Sequence, residues 1–439
     1  MIPETSYLLV RAASVYVTTM LTAALWLWRK PPRRVIATAM LACLWNVPAI
    51  LLLQVAAARF GWWHFDARGG LLLGIPVERY LSWVWLWGFV PAVAGASLPV
   101  YTMMGIALAA DLVLMPAAAP VIRLGPNWLL GECIGLFVGF LPGLLLARWT
   151  ERGLHLSWRV ALQVVAFAGL LIFVLPAVVI QGSGTTWVNP ATRPVWQLSV
   201  LVQVLALPVL FGLTAVQEFR ERGRGTPVPF DPPNELVTTG VYSYVRNPMQ
   251  LCAVLLLLLM GLVLQNAWVS ASAIMAHLYS MGLAGWDEDE DLQLRFGNEW
   301  IAYQHGVRLW LPRWRPWHRS GHPAARLFVS ERCDMCHEVG TWFERRGAKA
   351  LSIVPAETHP SGALTRITYE PACGARVAVG VEAIARALEH LHLGWALLGF
   401  LLRLPVLGHM SQLLVDASGG EPRKIPGVRK SVNDFDWLR

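Results

Sequence analysis

The chain has 439 residues, of which 55% are hydrophobic and only 15% charged, with a formal net charge of +8. A mean hydropathy of +0.48 excludes an ordinary soluble globular domain and points to the bilayer. The positive balance requires no nucleic-acid partner, because basic residues flanking membrane spans contact anionic lipid headgroups.

Apolar runs of roughly 20 residues, the length that crosses a hydrocarbon core, predict spans over Tyr7–Trp28, Val35–Ala58, Tyr80–Ala96, Val100–Pro120, Trp128–Ala147, Trp158–Ile180 and Trp196–Val216. A helical hairpin is expected from Met249–Leu264 and Ala267–Gly285, and both Tyr80–Ala96 and Met249–Leu264 are short enough for tilt or re-entry. The first run has span length and no basic stretch before it, so a cleavable signal peptide is not expected. Loop charge is concentrated in Arg29–Arg34, Ala147–Gly153 and Glu218–Gly225. If every run crosses, these three loops share one side, which the positive-inside rule makes cytoplasmic. The 22 tryptophans include Trp310, Trp314 and Trp317, expected as interface anchors.

Beyond about Ser320 the pattern changes. Strand-like segments are expected at Leu327–Val329, Ala350–Ala356, Thr365–Tyr369 and Arg376–Val379, with helices at Asp334–Arg346 and from Gly380 to His392. The alternation predicts a small α/β domain. The run Trp395–Leu407 is too short for a span and is expected as a buried or interfacial helix of that domain. The fold class is therefore a polytopic α-helical membrane protein, about seven spans plus a hairpin, with a C-terminal α/β domain. Its expected divisions are 1–150, 151–320 and 321–439.

The densest chemistry lies in two segments on either side of the hairpin, Leu236–Gln250 (LVTTGVYSYVRNPMQ) and Asp287–Tyr303 (DEDEDLQLRFGNEWIAY). Arg246 offers a planar fork for a carboxylate, and Tyr242 and Tyr244 offer aromatic faces for a cation or a purine. Pro248 can open a helix. Glu288, Asp289, Glu290 and Asp291 form a carboxylate run. Two readings of these charges stand side by side: a site for a zwitterionic cationic cofactor, or a snorkelling arginine and a solvated acidic helix start.

The residue order resembles integral-membrane methyltransferases, typified by isoprenylcysteine carboxyl methyltransferase and the phospholipid methyltransferases. Their pattern is Gly-x-Tyr, Arg-His-Pro-x-Tyr, an apolar hairpin, a Glu-Glu pair, then Leu-x-x-x-Phe-Gly and a tyrosine-bearing helix. Gly240, Tyr242, Arg246 and Pro248 match, Glu288 and Asp289 fall on the acidic pair, and Leu292, Phe296, Gly297, Tyr303, Val307 and Pro312 follow. The resemblance covers Leu198–Pro312. It implies S-adenosylmethionine held by Leu236, Val237, Gly240, Tyr242, Arg246, Asn247, Pro248, Glu288, Asp289 and Tyr303, with Arg246 and Glu288 in catalytic roles. A lipid, isoprenoid or prenylated small-molecule or protein acceptor would enter sideways from the membrane lipids. Two positions depart from the pattern: Asn247 stands at the family histidine and Gln250 at the family tyrosine. Asparagine cannot act as a general base near neutral pH. If that histidine handles a proton, catalysis is lost, and the chain is instead a redox or binding protein built on an inactive methyltransferase core.

Cys333-Asp334-Met335-Cys336 follows a strand and opens a helix, the setting of a redox dithiol. Zinc would need further ligands, for which Cys373, His337 and His359 are the candidates at irregular spacing, so no metal site is assigned. The domain over about Arg326–Gly420 resembles small thioredoxin-like thiol–disulfide oxidoreductases with an Asp-Cys-x-x-Cys signature, although Arg332 and Ser330 replace expected aspartates. That resemblance implies a thiol redox partner. Trp62–Trp83 is similar to the loop of membrane lycopene cyclase domains, with Pro76 and Glu78 matching and Arg79 at a usual acid. Glu78 is read there as an acid for isoprenoid chemistry or as a residue paired with Arg79. The expected location is a bacterial inner membrane, with the active site and C-terminal domain cytoplasmic.

Overall fold

The computed structural model describes residues 4–95, 98–119, 121–189, 192–228, 233–281, 285–319, 321–360, 364–372 and 376–422. Contacts group the chain into two units: Met1–Leu205, Arg224–Pro232 and Ala253–Leu278 form one, and Ala206–Gly223, Pro233–Cys252 and Tyr279–Arg439 form the other.

The first unit is a helix bundle. Its helices are α1 (Glu4–Arg29), α2 (Arg33–Phe60), α3 (Val77–Trp87), α4 (Phe89–Ala94), α5 (Val100–Ala117), α6 (Trp128–Arg152) and α7 (Leu156–Gly182). Half or more of the most apolar stretch of α2 and α6 is buried, against 17% for α1 and α5. So α2 and α6 form the centre and the other two present apolar faces outward. Outward-facing Leu and Val make sense only where the solvent is hydrocarbon. Gly61, at φ 67°, ends α2 in a left-handed cap, its N–H donating to the Ala57 carbonyl. Among the described residues six helices are long and apolar enough to span, the sixth being α8 (Val195–Gly223). The chain is an integral-membrane protein.

Two expectations are corrected. The predicted span Tyr80–Ala96 is two short helices broken at Gly88. A Cβ at Gly88 would lie 2.7 Å from both the Cys43 nitrogen and its Sγ, so close approach to α2 requires glycine there. The expected hairpin is present as α9 (Pro248–Val263) and α10 (Ala267–Tyr279), with α9 as short as its apolar run suggests. The single helix expected at Trp395–Leu407 is instead α15 (Leu393–Leu402) and α16 (Pro405–Val415), with Pro405 restarting the chain; together the pair is apolar enough to span but is bent by 89°.

Hydrogen bonds between loops still sort the bundle ends. At one end Arg29 donates to the Ala94 carbonyl (3.0 Å), Arg34 to Thr150 (3.3 Å) and Arg148 to Gly95 (2.7 Å). At the other, β1 (Trp63–Phe65) pairs antiparallel with β4 (Ile122–Leu124) across the chain, while β2 (Leu71–Leu72) and β3 (Ile75–Pro76) form a small hairpin. Gln181 bonds Leu73 there, and Asn266 bonds Thr185 at 2.6 Å. The broken pair α3–α4 thus still passes from one end to the other. Arg29–Arg34 and Arg148–Arg152 gather at the same end. Glu78 is paired with Arg11 rather than Arg79, whose guanidinium lies over Trp83 and reaches Ser14 at 3.3 Å.

The second unit holds the end of α8, α11 (Gly285–Phe296), α12 (Asn298–Gly306) and the α/β domain. Its sheet runs β6 (Leu351–Pro355), β5 (Ala325–Val329), β7 (Thr368–Glu370), β8 (Ala378–Val379), parallel between β5 and β6 and antiparallel elsewhere. Helix α13 (Asp334–Arg345) follows β5 and α14 (Val381–Leu388) follows β8. A parallel pair needs a crossover helix, and α13 supplies it. Leu327, Phe343, Ala383 and Ala387 close its core with at most 1% exposure.

Candidate active site

The two motif segments come together within the second unit. Trp300 and Tyr303 of the later segment, with Val307 just beyond it, form a buried cluster against which Leu236, Leu292, Phe296 and Trp317 pack. The Tyr303 hydroxyl donates to the Tyr242 carbonyl at 2.8 Å. The backbone then zips: Arg246 N–H donates to Arg308 (3.0 Å), Arg313 to Tyr244 (2.9 Å) and Trp317 to Ser243 (2.9 Å).

Beneath this lies a charge network that sequence reading missed. The Glu218 carboxylate is fully buried and accepts from Arg386 (2.6 Å) and the Thr239 hydroxyl (2.6 Å), and it is ion-paired with Arg403 at 2.8 Å and Arg222 at 3.6 Å. Arg386 and Arg403 also reach Glu221 at 2.8 and 3.0 Å, and Arg403 reaches Glu389 at 2.9 Å. Three guanidinium groups meet three carboxylates, which offsets the cost of burying each. Glu218 and Arg222, expected among loop charges, are instead in the helical end of α8 and buried. Gly240 is the residue this packing demands. Its φ is +58°, and a Cβ there would sit 2.9 Å from the Glu218 carboxyl carbon.

Beside the network is a cavity of about 470 Å³. Leu236, Thr239, Gly240 and Ser243 line it from the first motif segment, and Phe296 and Glu299 from the second. Of the residues expected to hold a cofactor, Leu236 and Gly240 face this space. Val237 and Tyr242 are buried in an apolar cluster with Val241 and Tyr244. The Tyr242 ring packs 6.1 Å from Phe219, and Tyr244 is fully buried with its hydroxyl donating to the Glu389 carbonyl at 2.9 Å. Their faces are taken by the core. Tyr303 is likewise 2% exposed.

Arg246 lies apart from the cavity lining, its guanidinium 5.4 Å from the Trp300 ring centroid. Its Nε and one terminal nitrogen are buried and have no hydrogen-bond partner among the described residues. That leaves donors for an anion. Asn247 donates to Gln250 at 3.0 Å, so the two departures from the family pattern bond each other at the start of α9, which Pro248 opens. Glu288 and Asp289 are on α11, but their side chains fall outside the described residues. Asp291 pairs with Arg295 at 3.2 Å on the exposed face.

Cys333 caps α13, its Sγ accepting from the Cys336 N–H at 3.4 Å. Burial and the hydrogen bond from the Cys333 side push the Cys336 thiol up to about 12. His359 bonds Glu370 at 2.8 Å, and Cys373 lies outside the described residues. No three metal-binding side chains gather among the described residues.

Fold and site define a polytopic membrane protein with a polar cavity beside a paired motif. The phospholipid methyltransferase family model matches residues 197–299, from α8 through the hairpin to the start of α12, leaving the N-terminal bundle and the α/β domain outside the match. No curated protein and no solved structure matches the chain.

Proposed function

We propose that the chain is an S-adenosylmethionine-dependent membrane methyltransferase acting on a lipid, isoprenoid or prenylated acceptor. The observation that carries this is the coincidence of the family match with the cavity wall: Leu236, Gly240, Phe296 and the boundary residue Glu299 lie within residues 197–299. A cavity of about 470 Å³ falls in the usual range for a cofactor-sized ligand. Arg246 would bind the cofactor carboxylate with its unpartnered nitrogens, and Glu288 or Asp289 would favour the sulfonium charge. Bound S-adenosylmethionine supplies the methyl group. The chain's part is to hold donor and acceptor in line and to exclude water. Positioning would be the main contribution of the chain, and a neutral Asn247 is compatible with a nucleophile that carries no proton to lose.

The loop-end bonds of the bundle support one side for Arg29–Arg34 and Arg148–Arg152, and the positive-inside rule would make it cytoplasmic. The proposed setting is a bacterial inner membrane, and the proposed domain divisions fall at residues 150 and 320. A second reading, a thioredoxin-like thiol–disulfide function with its own redox partner, is favoured by one geometry: Cys333 at the helix cap with Cys336 one turn on. Glutathione titration of the full chain tests it; a Cys333–Cys336 pair that stays reduced at every potential removes it. The methyltransferase reading is tested by equilibrium binding of S-adenosylmethionine to purified full-length protein in detergent. Saturable binding, weakened about tenfold or more in Arg246→Ala through loss of a charge-assisted pair, is expected; absence of binding sinks the reading.

A further inference from the structure

The cavity has a second wall, contributed by the α/β domain and by the segment that leads into it. His318, Tyr369, Arg386, Glu389 and His390 line it opposite the motif segments. Most of these polar groups are already engaged. Arg386 and Glu389 belong to the buried ion network. The His390 Nδ1–H donates to the Lys349 carbonyl at 2.8 Å, which leaves Nε2 to accept from the Tyr369 hydroxyl at 2.9 Å. His318 differs. Its ring stacks on His390 with centroids 5.2 Å apart and planes 3° from parallel, while its Nε2 is buried without a hydrogen-bond partner among the described residues.

The backbone around His318 is pinned. Trp317 donates to Ser243 of the motif at 2.9 Å, and the Trp314 carbonyl accepts from Leu393 at 2.8 Å. The imidazole is therefore presented at a fixed place beside Trp317, which also lines the cavity. A buried polar atom left unpaired costs free energy, and a ligand that pairs with it recovers that cost. Burial, with a smaller contribution from Lys349, lowers His318 to about 4, so the ring is neutral at pH 7. A neutral ring does not repel a sulfonium cation. A flat stack carrying one free ring nitrogen suits a heteroaromatic base.

Resting on the reading of this cavity as the cofactor site, we propose that the α/β domain and the segment leading into it form its second wall and that His318 contacts the nucleoside part of S-adenosylmethionine through Nε2. The fused domain then serves methyl-donor binding whether or not its cysteines do redox work.

The experiment is binding of S-adenosylmethionine to the full-length protein carrying His318→Phe or His318→Gln, with thermal unfolding followed in parallel. Phenylalanine keeps the stack and deletes the nitrogen; glutamine returns an amide nitrogen near the position of Nε2. Expected is binding weakened about tenfold in His318→Phe and largely restored in His318→Gln, as loss and return of one hydrogen bond would give. Wild-type affinity in a folded His318→Phe protein overturns the proposal and leaves the methyltransferase reading standing. No binding by the wild type overturns both. A second measurement needs no variant: irradiation with 8-azido-S-adenosylmethionine is expected to label the peptide containing His318, and labelling confined to Leu236–Ser243 overturns the proposal.

Discussion

Two polar regions lie side by side in the second unit and are built on opposite plans. In the network around Glu218, each carboxylate meets at least one guanidinium, and Arg386 and Arg403 each serve more than one partner. In the cavity and its surroundings, His318 Nε2 and the Arg246 Nε and one terminal nitrogen are buried and unanswered among the described residues, whereas in the network every carboxylate is paired although Arg403 Nε has no partner there. A closed network holds elements together, and its removal should be felt as instability. Open donors and acceptors are felt only when a ligand arrives. The difference separates what ties the C-terminal domain to the end of α8 from the place proposed for a ligand.

Disturbing the closed region should have the largest effect. Glu218→Ala strands buried arginine charge and is expected to cost about 3–5 kcal/mol in unfolding free energy; denaturant unfolding in detergent measures it. A cost below about 1 kcal/mol would mean the network is solvated and the contrast is wrong. Acid should act next. The unfolded state protonates histidine near 6.5, whereas burial holds His390 at about 3, so the unfolded chain binds more protons in that window. Stability contributed by neutral His390 is complete above about pH 6.5 and declines as pH falls, by about 2–3 kcal/mol at pH 4.5. His390→Gln should flatten that part of the stability–pH curve.

Smaller effects sharpen the boundary between the regions. Gly240→Ala places a methyl against the Glu218 carboxyl at a left-handed backbone position and should cost about 1–2 kcal/mol. Because Gly240 also lines the cavity, cofactor affinity should drop with it. The double change Asn247→His with Gln250→Tyr restores the family residues at the opening of α9 and exchanges one partly buried hydrogen bond for another. Its stability should move by less than about 1 kcal/mol. Turnover with a protic acceptor rising in this variant would identify a proton-handling step; unchanged turnover would fit the positioning account.

What was legible in the sequence follows from what each signal encodes. The strands Ala325–Val329 and Leu351–Pro355 and the helix Asp334–Arg345 lie close to their expected places, because apolar runs and a capping cysteine are local signals. The pairing of Leu236–Gln250 with Asp287–Tyr303 was legible through the hairpin between them, and contacts such as Tyr303 to Tyr242 lie between those segments. The network was not legible. Glu218 meets Arg386 and Arg403 from far along the chain, and in EFRERGRG the same charges look like an ordinary basic loop. His318 sits in a Pro, Arg and Trp-rich stretch that composition marks as a linker; only the stack on His390 singles it out. Tyr242 and Tyr244 erred the other way, since a tyrosine in a motif has no sequence mark that tells a core ring from a binding face. The break at Gly88 depends on contact with Cys43 and is equally silent in the sequence.

The most direct test of the central claim is transfer itself. Membranes containing the protein, incubated with S-adenosylmethionine labelled in its methyl group and with a lipid extract, should pass label into the organic phase. Arg246→Ala membranes should pass much less. Label in the organic phase no higher than in membranes lacking the protein, across phospholipid and isoprenoid fractions alike, would contradict the account.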